Sequence, residues 1–260
     1  MVDLSNFPYP AYEPNKIVAG FFATIIGILL ILWIIQSIQS QFRPRRVIIL
    51  LLISRLTLFI ELILRATLSL DTRNTRAAFT TTTVLLTLSQ RMIILANYDF
   101  LTQTGTLDSR VSRAIIMGSG LATITSTILM IPAGILSRNM NTIETSFQLR
   151  QASAAIVLIM AILFYPIWYL TKTTKLMTKQ AILVLFISSI TSLIVTIYLM
   201  IISCPYYYVA AHRQEFWFYI FHFTPIAIAL LVWTILPPKR TLVLTTQPQE
   251  DIKIDISDNL

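Results

Sequence analysis

Seven apolar stretches, each long enough to cross a bilayer, run almost end to end through the 260 residues. They cover roughly Ile17–Ile38, Val47–Leu68, Ala77–Leu101, Ala114–Leu136, Ala152–Leu170, Ala181–Ser203 and Phe216–Leu236. A spanning helix needs about 20 mainly apolar residues. Backbone polar groups cannot be left unpaired in hydrocarbon, so stretches of this kind fold as helices and not as open sheet. The predicted class is therefore all-α: a polytopic membrane protein with seven transmembrane helices. Residues 1–16 form an extracytoplasmic N-terminus, 17–236 the seven-helix domain, and 237–260 a cytoplasmic tail. The tail is acidic (Glu250, Asp251, Asp255, Asp258) and aperiodic, a composition that predicts disorder.

Charged residues make up 12% of the chain, against about 25% in soluble domains, which leaves little for a second, soluble domain. The net charge of +8 resides largely in loops, where it sets orientation and meets anionic lipid. No dense basic stripe interleaved with aromatics marks a nucleic-acid binder, so nucleic acid is not an expected partner. Membrane lipids are, and the basic loops offer a surface to a cytosolic partner. One cysteine, Cys204, and two histidines, His212 and His222, exclude an intrachain disulfide and argue against a Cys- or His-based metal cluster. No cofactor motif and no ATP-binding loop is found, and no enzymatic activity is expected. The N-terminus lacks a basic start and the first apolar run is full length, so Ile17–Ile38 reads as a signal-anchor. An integral membrane location follows, with the plasma membrane the first expectation and an endomembrane the second.

Loop charges vote on orientation. Arg43, Arg45, Arg46, Arg110, Arg113, Lys172, Lys175, Lys179, Lys239 and Arg240 gather on one side, and Lys16, Arg73, Arg76, Arg138, Arg150 and Arg213 on the other. The side richer in Lys and Arg is expected to be cytoplasmic, which places the N-terminus outside and the C-terminus in the cytoplasm.

The informative residues are the charges inside the spans. Helices two and three carry Arg55, Glu61, Arg65, Arg91 and Asp99. Such groups normally face the bundle interior and find partners, because a charge at the bilayer centre costs about 2.5–3.5 kcal/mol on insertion scales. Glu61 and Arg65 are four apart with the carboxylate N-terminal, the favourable helical pairing. Arg55 falls off that stripe and needs another partner or a snorkelling route. In helix three, Thr80, Thr87, Arg91 and Tyr98 project along one face. Counting about 1.5 Å per residue along antiparallel neighbours puts Arg91 at a depth between Arg55 and Glu61. Arg91 and Glu61 are thus expected partners across helices two and three, with a basic excess suited to an anionic or amphiphilic head group. Asp99 comes within reach of Arg43–Arg46. The competing reading is an ion pair that only locks two helices together. Gly118-Ser119-Gly120 and the hydroxyl run Thr123–Thr127 read as close helix contacts. Pro132, Pro166 and Pro225 read as kinks.

At helix seven, Glu215, Tyr219, His222 and Pro225 form a pattern similar to the Glu-x-x-x-Tyr-x-x-Asp…Pro of the fungal lipid-translocating exporter family, also called resistance-to-aminocholesterol-like proteins. Glu61 followed by Arg65 in helix two, Ala96-Asn97-Tyr98 in helix three, and Tyr9, Tyr12 and Pro14 before helix one also resemble that family. His222 stands where the family has Asp, the spacing from Glu61 to Arg65 is shorter than the family's, and Ser188–Ser203 lacks its helix-six arginines. The chain is identified as a divergent member. The resemblance implies seven helices, an external N-terminus, and a role in moving or sensing amphiphilic lipids such as sphingoid bases or sterol-like toxins.

Residues and resemblance together predict a protein that binds and moves or exports an amphiphilic small molecule. Its expected pocket lies between helices two and three, with Glu61, Arg65, Arg91, Thr87, Tyr98, Tyr219 and His222 as the substrate-binding residues. The alternative is a seven-helix receptor or sensor signalling to a cytosolic partner. Against it stand a helix seven without Asn-Pro-x-x-Tyr and the single cysteine. The absence of lysine from helix seven excludes a retinal Schiff base.

Overall fold

The computed structural model describes residues 15–69, 75–103, 108–137, 140–174, 178–207 and 215–238. Tyr9, Tyr12, Pro14, Arg73, Arg138, Lys175, Tyr208, His212, Arg213, Lys239, Arg240 and the acidic tail lie outside the described residues. Within them, seven long helices follow in chain order: α1 Lys16–Gln39, α2 Arg45–Thr67, α3 Arg76–Gln103, α4 Ser109–Leu136, α5 Ile143–Thr174, α6 Lys179–Ile202 and α7 Glu215–Ile235. All seven are long and apolar enough to cross a membrane. Even the 21 residues of α7 extend about 31 Å at 1.5 Å per residue, enough for the hydrocarbon thickness. The protein is an all-helical bundle of the kind that resides in a membrane.

Sequence neighbours pack against one another around the bundle, and α7 closes the ring against α1. Helix α3 is the exception. It touches α2 and α4, and also α5 and α6, so it sits at the centre of the bundle. Its last turns are deeply buried, with Ala96, Tyr98, Phe100 and Leu101 at most 3% exposed.

The polarity pattern is that of a lipid-solvated protein. On α4, Met117, Leu121, Ile124, Ile128, Ile131 and Ile135 face outward, while Ser119, Thr123, Ser126, Ala133 and Gly134 face inward. Lipid tails are as apolar as Leu, so large apolar side chains gain nothing by moving inside. Small and hydroxyl residues gain helix contact instead. Most of those hydroxyls bond a carbonyl on their own helix, as Thr123 does to Ser119 O at 2.8 Å. A few cross between helices: Ser146 donates to Ala133 O at 2.7 Å and Ser54 to Ser89 O at 2.9 Å.

Two local expectations are corrected. The glycines that permit close approach are not Gly118 and Gly120, beside which a Cβ would meet nothing within 4 Å. They are Gly134, where a Cβ would lie 3.0 Å from Thr80 Oγ1, and Gly27, 3.1 Å from the Phe59 ring. The hydroxyl residues Ser119, Thr123 and Ser126 are buried as expected. Second, α5 begins at Ile143, well before the apolar run at Ala152, so Arg150 is a buried helix residue and not a loop charge. Its guanidinium lies 5.9 Å from the Phe79 ring centroid.

Pro132 and Pro166 lie inside α4 and α5. In α7 the helix widens into a π turn over Tyr219–Phe223, and Thr224 N–H bonds Tyr219 O, five residues back. Pro225 follows at once. A proline has no N–H to give and its ring crowds the carbonyl one turn earlier. A widened turn accommodates both and is a feature often found at functional sites.

Candidate functional site

The helix-two pair forms as its spacing predicts. Arg65 donates from Nε and Nη2 to Glu61 Oε1 at 3.0 and 2.8 Å. Both residues are buried, Glu61 completely. The third charged member comes from α7, not α3. Arg65 Nη1 lies 3.7 Å from Glu215 Oε1, an ion-pair distance longer than a hydrogen bond.

Glu215 is itself held in place. Tyr219 donates its phenol to Glu215 Oε1 at 2.9 Å, one helical turn away, and Asn15 N–H donates to Oε2 at 2.9 Å. The Asn15 side chain meanwhile caps α1 by accepting from Ile17 N and Val18 N. The start of α1, the end of α2 and the start of α7 are therefore joined by one carboxylate. Phe218 forms the apolar part of the cluster: Arg65 Cζ lies 4.1 Å from its ring centroid, and His222 stacks on it at 5.4 Å.

This cluster contains two carboxylates and one guanidinium, a formal charge of −1. The expected basic excess, read as suited to an anionic or amphiphilic head group, is not found among these residues. Two further features stand out. Among the described residues, buried Glu61 Oε2 finds no hydrogen-bond partner, and neither do the two ring nitrogens of His222. A buried acceptor left unmatched costs about 1–3 kcal/mol, and more when charged. The cluster thus has capacity to accept a donor at Glu61 and to make a hydrogen bond at His222.

Arg91 does not join it. Its Nη2 donates to Ser153 Oγ on α5 at 2.6 Å, and Ser153 Oγ donates in turn to Ser126 O on α4 at 2.8 Å. Among the described residues, Arg91 Nε and Nη1 find no hydrogen-bond partner. The rest of the α3 stripe points the same way: Tyr98 donates to Met160 O on α5 at 2.7 Å, and Thr80 packs against Gly134 of α4. Thr87 spends its hydroxyl on Thr83 O and Val84 O of its own helix. The stripe is real, but it faces α4 and α5. The expected Glu61–Arg91 pair therefore does not form, and Arg91 is turned toward α5 instead of toward Glu61. Depth counting fixes how far along a helix a residue lies and says nothing about which way it faces. The central position of α3 decided the rest.

Arg55 finds its partners on α7. Nη2 donates to Leu230 O at 2.8 Å and to Thr234 Oγ1 at 2.9 Å, and Nη1 to Leu51 O at 3.1 Å. Its Cζ lies 4.1 Å from the Trp33 ring centroid. No carboxylate is involved; carbonyl dipoles and an aromatic face hold the charge.

No protein-family model, curated protein or solved structure matches the chain. The seven predicted binding residues accordingly divide on geometry alone. Glu61, Arg65, Tyr219 and His222 belong to one cluster; Thr87, Arg91 and Tyr98 belong to the α3–α4–α5 contact. Glu215 and Phe218 complete the first group and were not among the expected binding residues. The i,i+4 spacing of Glu215 and Tyr219 was the signal for Glu215, but nothing local announces that α7 lies beside the end of α2. Among the described residues, no group of three or more His, Cys, Asp or Glu is placed to hold a metal ion.

Proposed function

We propose that this protein is an integral membrane protein that binds and moves amphiphilic lipids whose polar end carries a positive charge. The head group docks at Glu61, Arg65, Glu215, Tyr219 and His222, between α2 and α7, while the tail remains in lipid. The observation that carries the reading is the fully buried Glu61, whose Oε2 has no partner although the cluster around it is formally negative. An ionisable group kept inside a span is a functional residue by default. An ammonium supplies the missing donor and neutralises the cluster, and a neighbouring hydroxyl supplies a partner for His222. A sphingoid base has both groups. The likeness of Glu215, Tyr219 and Pro225 to the lipid-translocating exporter pattern supports the same substrate class.

In this reading the N-terminus is external, so the cluster lies at the outer-leaflet end of the bundle. The test is transbilayer movement of a fluorescent sphingoid base in phosphatidylcholine vesicles holding the purified protein. The wild type is expected to accelerate movement, and Glu61→Gln at equal incorporation is expected not to. Binding without accelerated movement would instead mark a sensor.

A further inference from the structure

At the opposite end of the bundle, where α2 and α4 begin and α3 ends, the surface is indented by a groove of ≈ 580 Å³. We propose that this groove binds an anionic phospholipid, with its phosphate between Arg46 and Arg113 and the first part of an acyl chain running along α4 toward Gly120. The site shares no residue with the Glu61 cluster and stands independently of the function proposed for it.

Sequence spacing builds the groove. On α4, Arg113, Ile116, Met117 and Gly120 follow one another at i, i+3, i+4 and i+7, and on α2, Arg46, Ile49 and Leu50 do the same over one turn. These residues form two walls, each with an arginine at the rim and apolar side chains below it. Leu95 and Asp99 of α3 line it between the two walls. From Arg113 to Gly120 the depth is about 10 Å, so the groove is charged at its mouth and apolar beneath. Ile49 and Met117 are large exposed apolar residues, 47% and 74% accessible, so the groove opens sideways toward lipid. Gly120 leaves it unfilled: a Cβ there would meet nothing within 4 Å.

Charge selects the occupant. Arg43, Arg45, Arg46, Arg110 and Arg113 all stand in the described residues of this end, against Asp99 and Asp108. Asp99 is 3% exposed, its Oδ2 accepts from Gln103 Nε2 at 2.6 Å, and its carboxylate interacts electrostatically with Arg46, so it offsets part of that arginine's charge and leaves Arg113 and the neighbouring arginines in excess. A phosphate accepts paired hydrogen bonds from arginine forks. A choline lipid would bring a second cation toward those arginines, and a free amine would be repelled outright.

The experiment is native mass spectrometry of the full-length protein released from nanodiscs containing equal phosphatidylglycerol and phosphatidylcholine. The wild type is expected to retain phosphatidylglycerol preferentially. The surface double variant Arg46→Gln/Arg113→Gln should lower that retention about tenfold or more, because each arginine contributes to attraction of an anionic lipid. Gly120→Leu should abolish it without lowering the melting temperature, because the added side chain fills space that is empty in the fold and leucine favours the helix. Equal retention of the two lipids would overturn the proposal, as would wild-type retention by either variant. Displacement of the lipid by soluble inorganic phosphate would overturn it too, by showing that the arginines recognise a free anion.

Discussion

Arg55 and Arg65 sit on the same helix, ten residues apart, and both are buried. Their surroundings differ in kind. Arg55 is surrounded by groups that are already committed elsewhere: two main-chain carbonyls, a threonine hydroxyl that also bonds Leu230 O, and the face of a tryptophan that bonds Ile48 O. Arg65 is held between two carboxylates, one of which keeps an oxygen without a hydrogen-bond partner. The first arrangement ties α1, α2 and α7 together and leaves, of the Arg55 guanidinium, only Nε without a hydrogen-bond partner among the described residues. The second is only partly satisfied by the protein. The same residue type in the same helix is therefore held by carbonyls and an aromatic face at one depth and by carboxylates at another, and the proposed function assigns recognition only to the second.

Removing the architectural arginine should have the largest effect. Arg55→Ala deletes one of the largest fully buried side chains, with its hydrogen bonds and its tryptophan contact, and should destabilise the bundle by about 2–5 kcal/mol. Detergent-titrated unfolding followed by circular dichroism measures this; a change below about 1 kcal/mol would show that Arg55 is no lock. Glu61→Gln should reverse the pattern. It keeps the shape and one acceptor for Arg65, so the fold should survive, while affinity for a cationic amphiphile should fall about tenfold or more, equivalent to about 1.4 kcal/mol. Tyr219→Phe sharpens the contrast further. It frees Glu215 Oε1 from one hydrogen bond and should cost about 0.5–1.5 kcal/mol in stability, with a weaker effect on binding than Glu61→Gln. The smallest effects belong to two glycines of α4, one outward-facing and one packed against α3. Gly118→Ala should be neutral or stabilising by up to about 1 kcal/mol on propensity. Gly134→Ala meets Thr80 at 3.0 Å and should lose that gain to crowding, which parallel thermal melts of the two variants would resolve.

Much of this was legible in the sequence, and particular residues show where legibility stopped. The seven helices follow from hydropathy, since lipid solvation writes itself onto outward faces such as Met117–Ile135. Where inward polarity dominates, hydropathy misleads: Ser146 and Arg150 are buried polar residues, and they hid the first two turns of α5. The Glu61–Arg65 pair was readable because i,i+4 geometry is local. The Arg91 partner was not, because it depends on which neighbour a central helix turns each face toward. Glu215 carries its own clue in Tyr219, but its meeting with Arg65 is decided by ring closure between the first and last helices.

The most direct test of the cluster's role compares a sphingoid base with its N-acetylated form, identical in chain and hydroxyls but uncharged. Binding of each to the purified full-length protein in phosphatidylcholine nanodiscs is measured for the wild type and for Glu61→Gln. A cation site formed by Glu61, Arg65 and Glu215 predicts that the wild type prefers the amine by about tenfold or more and that the variant loses this preference. Equal affinity of the wild type for both lipids, or a preference that survives in Glu61→Gln, would contradict it.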